Sequence, residues 1–286
     1  MDFKDLENKD DLQKAIHTLL NNYSDMLIEM TNKGGSDYKK SALLYYWLQD
    51  YKNMLNRENK FSPKFMKKYS CGDIINVNFG FRPGAEEGGL HYAVVLDNNP
   101  RSSGVVAVLP LRSRKEKDTV LRPFEVDLGE VLFSRVAAKT NTLIEEYKMM
   151  DIEYNLRREK FNKAFDNLSD QLKQLKEEQL NNADRDLKII PLETKLSILS
   201  RENKILNSQI SALELKREQL NKHITAFNKM RKGSIALISQ ITTISKMRIM
   251  DPVKETSVLT GISLPEQAMK KIYDKLIPFI SGKIIR

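Results

Sequence analysis

Apolar positions change rhythm several times along the chain, and each rhythm predicts a different element. Leu12, Ile16, Leu19, Leu20, Tyr23, Met26, Leu27 and Met30 recur at helical spacing until Lys33-Gly34-Gly35-Ser36, a stop-and-turn signal. Ala42, Leu43, Tyr45, Tyr46, Leu48, Tyr51 and Leu55 build a second helix around Trp47 and stop before Phe61-Ser62-Pro63. Residues 1–66 therefore predict a helical hairpin, and its aromatic face reads as packing before it reads as a platform for bases. The rhythm then shortens. Ile74-Ile75-Asn76-Val77-Asn78-Phe79 mixes apolar and polar residues, and Tyr92-Ala93-Val94-Val95-Leu96 and Val105-Val106-Ala107-Val108-Leu109 are apolar runs bounded by Gly, Pro, Asn and Ser. These are three consecutive strands.

From about residue 131 the period lengthens again. Phe161, Phe165, Leu168, Leu172 and Leu175 alternate four- and three-residue steps. Asn181-Asn182-Ala183-Asp184 and Pro191 are expected to break the run. It restarts with Leu192, Leu199, Leu206, Leu213, Leu220 and Phe227 at d positions and Leu196, Asn203, Ile210, Arg217 and Ile224 at a positions, where Asn203 and Arg217 would fix register. Two arms of about 40 residues, each about 60 Å long, predict an antiparallel coiled-coil hairpin, with parallel pairing to a second subunit as the alternative. Near the end, Ser263-Leu264-Pro265-Glu266 predicts a capping box with Ser263 as N-cap, followed by Ala268, Met269, Ile272, Tyr273, Leu276 and Ile277 on one helix face.

Composition narrows the classes. A length of 286 residues predicts one core with appended or inserted elements. The net charge of +9 fits a polyanionic partner, and lysine-rich helices account for it equally well. The single Cys71, expected as a small apolar residue at a strand start, excludes an intrachain disulfide and a cysteine-based metal site and suits a reducing compartment. No apolar run follows the acidic Met1-Asp2-Phe3-Lys4-Asp5, and none approaches membrane-spanning length, so a cytoplasmic protein without a signal peptide or membrane contact is expected. Phosphate-loop, H-E-x-x-H and Cys/His zinc patterns are missing, so neither cofactor nor metal is expected.

Chemistry concentrates between the first two strands, in Gly80-Phe81-Arg82-Pro83-Gly84-Ala85-Glu86-Glu87-Gly88-Gly89-Leu90-His91. This glycine-rich loop brings carboxylates and a histidine beside a sheet, and no helix follows it as a dinucleotide site would need. Arg101, Arg112, Arg114, Lys115, Lys117 and Arg122 lie near the rim of the same strands, a candidate phosphate-guiding edge. His17 and His223 fall on predicted helices and read as structural.

Gly72-Asp73, Gly84-Ala85-Glu86-Glu87-Gly88-Gly89, Ala93-Val94-Val95-Leu96, Pro110-Leu111-Arg112-Ser113 and Pro123-Phe124-Glu125-Val126 appear in one order. In that order they resemble the PemK/MazF-like toxins, endoribonucleases of type II toxin-antitoxin systems. The run from Ser234 to Ile249 resembles the strand carrying that family's D-Q-[IV]-[RK]-[TS]-I motif. The resemblance implies an SH3-like β-barrel; with the coiled-coil hairpin and the N-terminal helical hairpin read from periodicity, the expected architecture is an α+β protein whose barrel is interrupted by the first and preceded by the second. The expected divisions are residues 1–66 for the N-terminal hairpin, 67–130 for the first part of the barrel, 131–231 for the insertion and 232–286 for the closing strands and last helix. It also implies metal-independent cleavage of single-stranded RNA, a homodimer and a cognate antitoxin.

The family's loop arginine falls on His91 and its third-strand threonine on Arg112, so the catalytic set departs from the pattern. In the active reading His91 is the acid-base, Glu86 or Glu87 orients it or shares proton transfer, Arg112 supplies charge to the phosphate and Ser113 hydrogen-bonds. Arg82, Glu87, Arg101, Arg114, Lys115 and Lys117 would contact the RNA. The alternative is a catalytically inactive module that binds nucleic acid or protein, its coiled coil mediating oligomerisation. A third, purely structural coiled-coil protein rests on the heptads alone.

Overall fold

The structure, a computed structural model, describes residues 2–116, 118–178 and 182–282. It is an α+β chain with two compact units. The first runs to Asp127 and takes in Ile235–Glu255 and the chain from Ser263; the second comprises Leu128–Ser234 and Thr256–Ile262.

In the first unit, α1 (Lys9–Lys33) and α2 (Gly35–Glu58) form the N-terminal hairpin. Gly34 turns the chain at φ 72°, a left-handed conformation that costs glycine least. Ser41 Oγ donates to the Leu27 carbonyl at 3.0 Å, tying the helices together at one of the hairpin's few buried positions. Leu19, Leu20, Tyr45 and Tyr46 remain exposed.

The strands are β1 (Ile74–Asn78), β2 (Leu90–Val95), β3 (Val105–Ser113), β4 (Glu125–Gly129), β5 (Ser234–Leu237), β6 (Thr242–Ser245) and β7 (Ile249–Asp251). They make one sheet in the order β4-β5-β3-β2-β1-β7, with β6 paired to β3. The β1–β2, β2–β3, β1–β7 and β3–β6 pairs are antiparallel. Alternation puts Ile75, Val77, Ala93, Val95, Val106 and Val108 on one face, where they pack with Tyr69, Phe79, Ile244 and Ile249. Each valine, isoleucine and phenylalanine among them contributes about 1.5–3 kcal/mol of burial. The Tyr69 hydroxyl, fully buried, donates to the Pro252 carbonyl at 2.8 Å.

The start of the last helix, α5 (Glu266–Ile280), corrects one expectation. Its N-cap is Pro265, in extended conformation and without a side-chain cap bond; Ser263 caps nothing. Ser263 instead bridges to Asp73, and the Leu264 amide donates to the Gly72 carbonyl at 2.8 Å, so sheet pairing holds this segment extended past the predicted cap. Cys71 likewise precedes β1, in a turn, and does not start a strand. Its Sγ lies 2.8 Å from the Tyr273 hydroxyl on α5, and that hydrogen bond, with burial, pushes the phenol up to about 12.

The second unit is built on α3 (Val131–Glu177) and α4 (Asn182–Lys229). Their cross-contacts descend in α4 as they ascend in α3: Lys216 with Glu146, Gln209 with Glu153, Arg157 with Glu202, and Lys195 with Gln171. The helices are therefore antiparallel. Asn181 lies outside the described residues. The chain from Asn182 is already helical, and Pro191 sits inside α4 without ending it, contrary to the expected break. An internal proline costs roughly 3 kcal/mol, a loss that a helix 48 residues long and packed along its length absorbs.

Leu199, Leu206, Leu213 and Leu220 are buried at successive heptads. Leu196, Asn203, Ile210 and Arg217, expected beside them, are exposed; Glu202, Gln209, Lys216 and His223 flank the leucines instead. A single partner helix covers a narrow stripe, so polar side chains with long stems line its second row. His223 is fully buried with no hydrogen-bond partner on either nitrogen, and burial, followed by Lys139 and Lys216, lowers its pKa to about 4. Lys139 Nζ donates to the carbonyls of Ser257, Val258 and Thr260, fastening that loop to α3. Among the described residues no helix is long and apolar enough to cross a membrane.

Candidate functional site

The β1–β2 loop is closed at its base by backbone bonds. The Phe79 amide donates to the Gly89 carbonyl at 2.8 Å and the Gly89 amide to the Gly80 carbonyl at 2.7 Å. Gly80 takes φ 79°, and a Cβ there would stand 2.7 Å from the Trp47 indole, so this position needs glycine twice over. His91, the second residue of β2, pairs with Val77, and its Nε2 lies 3.1 Å from Glu87 Oε1. The histidine side chain is 32% exposed and the glutamate 22%, so the pair reaches solvent while held by the loop. A carboxylate on one imidazole nitrogen fixes ring orientation and tautomer and leaves the other nitrogen for proton exchange.

Glu86 does not join this pair; its closest cation is Arg82, at 4.0 Å. Arg82 stacks over the Phe79 ring at 5.4 Å. Arg112 follows Leu111, which faces Tyr92, so continuing the register by one residue sets it opposite His91 on the same sheet face. Its guanidinium is nonetheless committed elsewhere. Nε donates to Glu125 Oε1 at 2.9 Å and Nη1 to Asp118 Oδ2 at 2.6 Å. The arginine holds both carboxyls below their usual range, and they in turn raise its own pKa. Ser113 ends β3, exposed, its carbonyl accepting from Arg112 Nη1 at 3.3 Å.

The other expected contacts scatter. Arg114 pairs with Asp127 at 2.7 Å, and the Lys115 backbone amide donates to Asp118. Arg101 lies in the β2–β3 connection beyond the far end of β2, roughly 13 Å along the strand from His91 at about 3.3 Å per residue. Lys117 falls outside the described residues.

Several residues at the loop had no part in the sequence argument. Gln240 braces it from one side, its Oε1 accepting from the Glu87 amide and its Nε2 donating to the Ala85 carbonyl, both at 3.3 Å. Arg248 Nη1 donates to the Phe79 carbonyl at 3.1 Å and its guanidinium stands 5.3 Å from the Trp47 ring; burial and the neighbouring Arg82 lower its pKa. Asp50 of α2 accepts from Asn78 Nδ2 at 2.8 Å, and Asn78 Oδ1 accepts from the Gly80 amide. Between α2 and the loop lies a cavity of about 410 Å³. Gln240 and Arg248 belong to the late motif that the sequence reading treated only as a strand; Trp47 was read as part of an aromatic face that packs before it meets bases, and Asp50 carried no signal.

No curated protein matches the chain. Residues 70–190 match the family model described as PemK-like, MazF-like toxin of type II toxin-antitoxin system, and the β1–β2 loop, His91 and Arg112 all lie within the matched segment.

Proposed function

We propose that this chain is the toxin of a type II toxin-antitoxin system and cleaves single-stranded RNA without a metal ion. The observation that carries the reading is the 3.1 Å contact of His91 Nε2 with Glu87 Oε1 at the loop. The imidazole takes the proton of a 2'-hydroxyl as that oxygen attacks the adjacent phosphorus. It returns the proton to the 5'-oxygen as the P–O5' bond breaks, leaving a cyclic phosphate and a 5'-hydroxyl. Glu87 orients the ring and stabilises the imidazolium, and Arg82, facing no carboxylate closer than 4.0 Å, supplies charge to the phosphorane. Around this site the sheet works as an SH3-like barrel, α3 and α4 as an inserted coiled coil, and the whole as a cytoplasmic homodimer silenced by an antitoxin.

Arg112 favours a second reading, a barrel that binds nucleic acid or protein without cutting. Held between Asp118 and Glu125, it offers no net positive charge to a phosphate. The readings separate on incubating mixed-sequence single-stranded RNA in EDTA with the purified chain, freed of any co-purifying antitoxin. Fragments with 5'-hydroxyl ends, reduced at least 100-fold by His91→Ala and about 10-fold by Glu87→Gln, are expected. Intact RNA sinks the enzyme assignment, and cutting unchanged by His91→Ala sinks His91 as its acid-base.

A further inference from the structure

We infer that the cavity between α2 and the β1–β2 loop receives one nucleobase of a single-stranded RNA, with the flanking phosphates met by Lys40, Arg82 and Arg248. The inference rests on the endoribonuclease reading and adds to it a base-binding subsite that the N-terminal hairpin helps to build. At about 410 Å³ the cavity lies in the range of small-ligand pockets and admits a single base. Tyr46, Trp47 and Phe81 line it, with Asp50, Asn78 and Arg82 among its polar groups. Tyr46 is 65% exposed, so its ring is open to a ligand as a core aromatic would not be.

Charge separates an RNA occupant from an apolar peptide. Three cations stand over aromatic rings in or beside this cavity: Lys40 at 5.9 Å from Phe81, Arg82 at 5.4 Å from Phe79 and Arg248 at 5.3 Å from Trp47. The open Tyr46 ring and the Phe81 ring beside these cations match what a single strand requires, rings for bases and positive groups for phosphates. The Asp50 carboxylate, oriented by Asn78, faces a base as a hydrogen-bond acceptor, so bases presenting amino or imino donors are favoured. Glu86 belongs to the same lining, and Glu87 and His91 follow within the same loop and strand; a base seated here lies a short stretch of backbone from the proposed cleavage point.

The chain has a single tryptophan, Trp47, so occupancy can be read directly. The full chain carrying His91→Ala, which prevents cutting, is titrated with an end-labelled single-stranded RNA hexamer while RNA anisotropy and Trp47 emission are followed together. Both signals are expected to saturate at the same concentration. Tyr46→Ala and Phe81→Ala should each weaken binding roughly 5- to 100-fold, the loss of one base stack, and Asp50→Asn should change which base is preferred. Rising anisotropy with unchanged Trp47 emission, and wild-type binding by both aromatic variants, would place the RNA elsewhere and overturn the subsite while leaving the nuclease assignment intact. If anisotropy does not move, subsite and nuclease reading fall together. Faster cleavage by Tyr46→Ala in the otherwise unaltered chain would show that α2 shields the loop, and would also overturn the inference.

Discussion

Arg112 balances two carboxylates, and one of them, Glu125, is only 5% exposed. Removing the guanidinium leaves that buried charge uncompensated. Arg112→Ala is therefore expected to destabilise the fold by about 3 kcal/mol, the low end for breaking a buried pair because the arginine retains some solvent contact. Urea denaturation at neutral pH reads this, and a loss below about 1 kcal/mol would mean that the carboxylates find other partners. Both carboxyls titrate below their unfolded values, so their stabilisation is present above the ordinary carboxylate pKa and is lost as pH falls through the lowered ones. The sequence grouped His91 with the glutamates of its loop because motif and strand order fixed their neighbourhood, and the fold pairs the imidazole with Glu87 and not Glu86. It did not reveal Arg112's role, because Asp118 and Glu125 come 6 and 13 residues later and reach it only once the chain has folded back.

At the scale of elements, strands and helices were largely legible because period-two and helical patterns are local. The seam of α4 was legible only in its leucines. Which second row faces α3 depends on the angle of approach of a helix distant in sequence, so Asn203 and Arg217 were placed inward when Lys216 and His223 are the flanking residues. His223 gives this helix pair its own acid response. The fold keeps the imidazole neutral down to about pH 4, whereas in the unfolded chain it takes a proton near pH 6.5. The unfolded state thus binds the extra proton between those values, and stability falls as pH is lowered from 6.5 to 4, by roughly 3 kcal/mol in all. His223→Met should flatten urea midpoints across that window and leave them nearly unchanged at pH 7.5. A midpoint that still falls between pH 6.5 and 4 in the variant would assign the response to another group. Leu206→Ala, which empties a buried heptad position, should cost about 2–4 kcal/mol in thermal unfolding while RNA cleavage per folded molecule stays constant.

For the whole molecule, a net charge of +9 does not say which cations RNA would meet, because individual arginines differ in their partners. Arg112 and Arg114 are paired with carboxylates, whereas Arg82 and Arg248 stand against aromatic rings. RNA affinity should fall steeply with salt, with a slope of about −0.7 per phosphate engaged. Arg82→Ala should reduce that slope and Arg114→Ala should leave it nearly unchanged; equal reductions would make the binding face a diffuse basic surface.

The bracing of the β1–β2 loop is drawn from chain far downstream: Gln240 reaches back 155 residues to Ala85, and Arg248 reaches 169 to Phe79. A ribosome that has finished the loop must still translate both long helices before either brace exists. At about 5–20 residues per second this takes roughly 8–35 seconds. A nascent chain, or one released early within the helical insertion, carries His91 and Glu87 on a loop lacking both props. The loop that carries the proposed cleavage site is thus braced only after α3 and α4 have been made.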